Sequence, residues 1–426
     1  MTCNSYSKKI KFSVLSEKKI ENGLKYKNIL FGTKKVKISA HVLEYNLNNK
    51  DLVLNIVKPM NTISENARLH DMVAEFDSIN HTQTLAAVNG SFWQGGSLYP
   101  IGSLIIDNEI VNSTRYKKWS SIAFDDKNTP YLDSFELNCT YNYKNACFYL
   151  SNINKRIDTN GIVFYNRFGG DSIPYINHKK IDDYLSDAIK EWNALREMSD
   201  STEDNEQVFD TNKIREERYL SDKRLKKELG LTKIILKAIG IPLINRQFSY
   251  IVQGITNEIT KVPENGAILS FGKDVDKNLI PHYNDTITFD FKTNINSDIL
   301  FVKGLSGTPR IVRNGIGNHE ANIEGSKAKR FLNQSLPRTA IGFNKDKSKL
   351  FFVTVEPTAR KAKIKGASLN EIAWIMETIG CYNALNLDGG GSSIMLMNNK
   401  NINLKSRPDF SRKLSVGILI SKKSKN

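Results

Sequence analysis

Four short segments bring together residue types able to handle a sugar or a phosphate. The densest is Asn386-Leu387-Asp388-Gly389-Gly390-Gly391-Ser392-Ser393. A carboxylate ending an apolar run, followed by three glycines and two hydroxyls, describes a turn whose backbone N–H groups an anion can approach closely. A glycine hairpin is the plain alternative. A turn that needs only one left-handed residue seldom takes three glycines in succession, so this segment points to function. In Leu336-Pro337-Arg338-Thr339-Ala340-Ile341-Gly342, Arg338 offers a planar charged fork suited to two phosphate oxygens and Thr339 a neutral donor. Taken alone, that arginine reads better as part of a structural salt bridge. Val355-Glu356 closes the run KLFFVTV, which would project a carboxylate from a rigid sheet edge. In Ala87-Val88-Asn89-Gly90-Ser91-Phe92-Trp93, the Asn89 amide suits a sugar hydroxyl and Phe92 or Trp93 a sugar's C–H face. Alone, it reads as a strand-ending turn with core aromatics.

The elements that must hold these groups are mostly strands. KVKISAHVLEY and DLVLNIV alternate apolar and polar residues as half-buried strands do. LAAVNGSFW and PIGSLIIDNEIVN continue the pattern, with Asp107-Asn108 as a turn between two apolar runs. A helix is expected from about Ile63 to Ile79, capped by Ser64 or Asn66. FSYIVQGITNEI, KVPENGAILSFG, TITFDFKT and ILFVKGL read as further strands. The clearest helix is ASLNEIAWIMETIG: Ser368 and Glu371 make a capping box, Leu369, Ile372, Ile375, Met376 and Ile379 an apolar face, and Gly380 the stop. Between them, His178 to Gly240 holds 13 Lys/Arg and 14 Asp/Glu. That composition predicts exposed helices with charges in helical reach, or a partly disordered insert. It suits a lid or a partner-binding excursion as well as a decorative loop.

The 426 residues suffice for one large core or two modest ones. The formal charge of +16 favours anionic partners, or is simply a solvated lysine-rich surface. The charged stretch is nearly neutral, so the basic excess lies elsewhere. Cys3, Cys139, Cys147 and Cys381 are too few for a disulfide scaffold and lack zinc-site spacing. Free thiols are expected, with a Cys139–Cys147 pair open to an exported protein. The opening MTCNSYSKKIKFSV has no apolar core of signal-peptide length, and no later run is long enough to span a bilayer, which leaves localisation open. No P-loop, HExxH, GxSxG elbow or GxGxxG after a strand occurs, and the six histidines are scattered. Zinc and RNP signatures of nucleic-acid modules are absent, so no nucleic-acid partner is expected.

AVNGSFW, PIGSLIIDNEIVNS, YNRFGGDSI, VPENGAILSFG, GTPRIVRNG, LPRTAIGFN, ALNLDGGGSSIM and RPDFSRKLSVGILI, in that order, resemble the phosphodiester glycosidase family. The resemblance covers about residues 36–176 and 245–421. It implies an α+β fold of mixed or antiparallel sheets flanked by helices, with a charged helical insertion at about 177–244. On that reading 1–35 is an N-terminal extension, 36–421 the glycosidase domain and 422–426 a basic tail. The family is commonly exported. The implied site gathers Asn89, Arg338, Thr339, Glu356, Asp388, Gly389, Gly390, Gly391 and Ser392. Two departures stand out: Ser91 where the family usually has a second glycine, and Glu356 where an aspartate followed by glycine and arginine is common. Arg360 is the nearest substitute for that arginine.

The expected reaction is hydrolysis of a sugar-1-phosphodiester at the glycosidic C–O bond, with a phosphorylated glycan or glycan phosphodiester as substrate. Asp388 and Glu356 would be its two carboxyl groups. Arg338, Thr339 and the amides of Gly389 to Ser392 would stabilise the departing phosphate. No particular cofactor is implied; a carboxylate beside glycines is compatible with a divalent cation and does not demand one. Two rivals use the same residues: a phosphodiesterase that cleaves P–O, and an inactive glycan-binding surface or virion protein, for which the atypical loop EPTARKAKIKG speaks.

Overall fold

A computed structural model describes residues 11–32, 37–198, 210–212, 223–403 and 411–424. The chain divides into two compact units, one of Met1–Thr140, Ile241–Phe248 and Asp290–Asn426, the other of Tyr141–Gly240 and Ser249–Phe289. Strands far outnumber helices, so the α+β class holds only in a mostly β form.

The first unit carries an eight-stranded sheet in the order Phe12–Glu21, Leu24–Gly32, Lys37–Asn46, Lys349–Val355, Arg338–Phe343, Asn383–Asn386, Arg310–Arg313 and Ile316–Gly317. Its neighbours pair antiparallel. Residues 11–32, which the sequence set apart as an extension, thus supply two of its strands. Because side chains alternate across a strand, register fixes which residues share a face. Ala40, Val355 and Arg338 form one cross-strand row; His41, Thr354 and Thr339 form the next, on the opposite face. The first face packs a core of Ile38, Ala40, Val42, Val353 and Val355 against Leu369, Ile372, Ile375 and Met376 of helix Leu369–Thr378. That helix starts at the expected capping box. Ser368 Oγ accepts from Glu371 N at 3.3 Å, and Glu371 Oε2 accepts from Ser368 N at 2.9 Å. Gly380 follows it at φ +98°, a conformation that favours glycine.

Two five-stranded sheets complete this unit. One runs Lys400–Asn401, Met395–Met397, Thr84–Asn89, Gly417–Lys422, Leu52–Val57; the other runs Glu109–Asn112, Leu104–Ile106, Phe301–Gly307, Ser120–Asp125, Pro130–Ser134. Asp107 and Asn108 turn at φ 48° and 68°, as a tight hairpin requires. The expected helix at 63–79 begins later, at Leu69, and neither Ser64 nor Asn66 caps it. Ala67 instead exchanges backbone hydrogen bonds with Leu414 at 3.1 and 2.7 Å, which holds residue 67 extended and delays the helix.

The second unit is built on an eight-stranded sheet, with Thr232–Ile239 between Gln247–Thr256 and Gly266–Phe271. Phe289 packs on Phe164 and Tyr250 at 5.1 and 5.3 Å. Within the charged stretch, His178–Met198 and Lys223–Glu228 are helical, whereas its apolar end, with Ile234 and Leu236 fully buried, is a strand of this sheet. Residues 199–209 and 213–222 lie outside the described residues. Cys139, Cys147 and Cys381 are free thiols, so the pair open to Cys139 and Cys147 does not form; Cys3 lies outside the described residues.

Removing the cap hydroxyl with Ser368→Ala leaves a helix-end amide without its partner and should cost about 1 kcal/mol. A lower denaturation midpoint at unchanged slope is the expected result.

Candidate functional site

Asn89 ends a strand whose six residues are all buried, and is itself 1% exposed. Its Oδ1 accepts from Thr339 Oγ1 at 2.7 Å and Ile394 N at 3.1 Å; its Nδ2 donates to Asp388 O at 2.7 Å. Gly90 accepts at its carbonyl from Asp388 N at 3.2 Å and donates from its amide to Val416 O at 2.9 Å. A Cβ on Gly90 would lie 2.9 Å from Val416 Cγ1, so only glycine fits. The amide expected to meet a sugar hydroxyl is therefore committed to protein partners. It clasps the Asp388 turn to the strand Arg338–Phe343.

Asp388 stands at the mouth of that turn, partly exposed. Burial pushes its carboxyl up to about 6; the Ser392 hydroxyl, the Gly389 amide and the charge of Arg412 oppose the shift. Gly389 N donates to its Oδ1 at 2.8 Å. The Ser392 hydroxyl lies close, though outside the geometry of a formed hydrogen bond. The expected cradle of free amides is largely spent. Gly390 N donates to Pro337 O at 2.9 Å, Ser392 N to Gly389 O at 3.1 Å and Ser393 N to Gly390 O at 3.3 Å. Each of the first two glycines has a backbone reason. Gly390 sits at φ +61°, and a Cβ on Gly389 would come within 3.0 Å of Pro337 O. Gly391 has no such reason: its φ is not left-handed, and a Cβ there would meet only Arg412 Cδ, at 4.0 Å.

Arg338 and Thr339 do not act together. Adjacent strand residues point to opposite faces, and Arg338 lies on the helix side, 1% exposed. Its Nε donates to Ala367 O at 2.9 Å and its Nη2 to Phe331 O at 2.7 Å and Gln334 O at 3.3 Å, while the guanidinium lies 5.3 Å from the Phe331 ring. Burial lowers its pKa to about 10. This arginine braces the loops beside the sheet. Thr339, fully buried, donates to Asn89, and its Oγ1 lies within hydrogen-bond distance of Ser393 Oγ at 3.1 Å.

Glu356 follows the strand Lys349–Val355, its amide bonded to Ser39 O at 3.0 Å. Its Oε1 lies 2.7 Å from Nε2 of His41, whose Nδ1 lies 2.7 Å from the Tyr26 hydroxyl. His41 is wholly buried, whereas the Glu356 side chain is 19% exposed. Burial and the nearby Glu356 charge push the Tyr26 hydroxyl up to about 12. The chain Tyr26–His41–Glu356 thus presents one carboxylate from a fixed base. Its sequence signal was a single histidine among the alternating apolar positions of KVKISAHVLEY.

Two more residues join the site. Trp93 carries the Arg412 guanidinium 5.1 Å from its ring centre, whereas Phe92 packs inward on Trp119 at 5.3 Å. Glu324 is a buried carboxylate of a different kind. It accepts from Ser120 Oγ at 2.6 Å, Thr308 Oγ1 at 2.7 Å and Arg310 N at 2.8 Å, which commits it to bracing GTPR. The side chain of Arg360 lies outside the described residues. Among the described residues, no three His, Cys, Asp or Glu side chains form a group able to hold a metal ion.

Asp388 follows the strand Asn383–Asn386 and Glu356 the strand Lys349–Val355, with Arg338–Phe343 between them. Two inter-strand spacings put the strand backbones about 10 Å apart. A carboxyl with a raised pKa opposes folding only when ionised. That cost is absent below about pH 4, where the group is protonated folded or unfolded, and complete above about pH 6. Asp388→Asn should therefore stabilise the fold at pH 7–8 by about 1–2 kcal/mol after allowance for partial exposure. Melting curves across pH check this: the gain should vanish near pH 4.

The fold is shared with solved structures. A hypothetical protein from Synechocystis matches over 94% of this chain at 16% identity and a TM-score of 0.64; the match spans 62% of that chain, less than two thirds. A putative exported protein from Burkholderia pseudomallei K96243 matches over 97% of both chains at 12% identity and a TM-score of 0.61. The zebrafish N-acetylglucosamine-1-phosphodiester alpha-N-acetylglucosaminidase catalytic domain, auto-inhibited by its pro-peptide, aligns over 98% of this chain and 85% of its own at 12% identity. Its TM-score of 0.43 carries no weight here. No curated protein matches by sequence. The family model for phosphodiester glycosidase matches residues 244–421, which span GTPRIVRNG, LPRTAIGFN and ALNLDGGGSSIM. Over those residues the chain is similar to the phosphodiester glycosidase family, in agreement with the resemblance carried by its motifs.

Proposed function

We propose that the protein hydrolyses sugar-1-phosphodiesters at the glycosidic C–O bond, with Asp388 as general acid and Glu356 as general base. The observation that carries this reading is the Asp388 carboxyl, held at about 6 by burial at the mouth of the glycine turn. A carboxylic acid still partly protonated near neutrality can give its proton to a leaving oxygen. Glu356, hydrogen-bonded to a buried histidine, has the fixed orientation that a base acting on water needs. The family match supports the reaction class.

In this reading water attacks the anomeric carbon through an oxocarbenium-like transition state. Its proton passes to Glu356, the C–O bond breaks, and the electron pair stays on the phosphate oxygen, which takes the Asp388 proton. The products are the free sugar and a phosphomonoester. Because the second pKa of a phosphomonoester is only about 6, little protonation is needed for departure, and a moderately strong acid suffices. A base that acts on water opposite the departing oxygen makes this an inverting reaction.

The test is sugar release from a panel of sugar-1-phosphodiesters by the purified chain, with the first-formed anomer read by NMR. Inversion is expected, with kcat/KM falling above about pH 6 as Asp388 loses its proton. Asp388→Asn and Glu356→Gln should each reduce release about a hundredfold or more. Release that survives both substitutions, or retention of configuration, would overturn the roles given to the two carboxyl groups.

A further inference from the structure

A phosphodiester is anionic, and Arg338 has its Nε and Nη2 on backbone carbonyls and its side chain buried on the helix side of the sheet. Another cation must therefore meet the phosphate. Arg412 has the required position. It is exposed, and its charge reaches Asp388, yet the two form no direct ion pair. Among the described residues it has no ion-pair partner. Its contacts explain how an exposed arginine stays in place. The guanidinium lies 5.1 Å from the Trp93 ring centre, an arrangement favoured by the ring's negative face. Its Cδ runs past Gly391, 4.0 Å from where a Cβ would stand.

We infer that Arg412, held by Trp93, binds the phosphoryl oxygens of the substrate in the gap between itself and Asp388. This rests on the reading of the reaction given above but concerns only who meets the anion. A guanidinium offers two parallel donors to two phosphate oxygens, while Asp388 reaches the bridging oxygen from the other side. The hydrogen bonds of the clasp at Asn89 use neither Trp93 nor Arg412.

The experiment is calorimetric titration of the full chain with methyl phosphate, beside sugar release from a phosphodiester and from a neutral aryl glycoside of the same sugar. Arg412→Ala should weaken methyl phosphate binding about tenfold or more, as loss of a charge-assisted pair does. Arg412→Lys should recover part of it and Trp93→Ala should lose part. In turnover, Arg412→Ala should impair the phosphodiester far more than the neutral glycoside. Unchanged methyl phosphate affinity in Arg412→Ala, or no binding by the unaltered protein, would overturn the inference. Binding that depends on Arg412 without release of any sugar would uphold it while removing the glycosidase reading. Normal release by Arg412→Ala, with normal binding, would do the reverse.

Discussion

The side-chain amide of Asn89 is the contact on which the site depends. It lies at the end of one sheet, accepts a hydrogen bond from Thr339 in another and donates one to the carbonyl of Asp388. With almost no solvent at Asn89, loss of its side chain would strip the buried Ile394 amide of this acceptor, and an unpaired buried polar group is costly. The clasp fixes where the Asp388 turn begins. Gly389 and Gly390 then carry the chain past Pro337 in a conformation that other residues would resist. The carboxyl that results is neither free in solvent nor sealed inside, which is why its proton is held more tightly than an ordinary aspartate's.

The period of a strand does the rest of the sorting. Arg338 and Thr339 are neighbours in sequence and part company in space, one bracing loops on the helix side and the other joining the clasp. The row that holds Thr339 also holds Thr354 and His41, so the sheet itself aligns a polar strip through an otherwise apolar face. His41 reaches out of that strip to Glu356 and back to Tyr26. Positive charge near Asp388 comes instead from Arg412, which an aromatic ring holds.

Much of this was legible in the residues. The capping box at Ser368 and Glu371, the Asp107-Asn108 turn and most strands follow from local rules that tertiary contacts do not override. The segments that meet at the site were also visible, because glycines beside polar residues at strand ends are unusual. Their division of labour was not. Whether a buried amide bonds a ligand or a neighbouring strand depends on what lies across from it, and Thr339 is 250 residues away from Asn89. The helix start displaced from Ser64 to Leu69 has the same cause, since Leu414 pairs with Ala67 from the far end of the chain. TKIILKAI adjoins the charged stretch in sequence, but its apolar run belongs to a central strand. His41 carries little signal as one histidine among six, because its partners come from register rather than from spacing.

The central claim is that bond cleavage occurs at the sugar carbon, between a tuned aspartate and a fixed glutamate, and not at phosphorus. Hydrolysis in ¹⁸O-labelled water with mass analysis of both products tests it most directly. The account predicts label in the released sugar and none in the phosphomonoester. Label in the phosphate would contradict it and make the same site that of a phosphodiesterase.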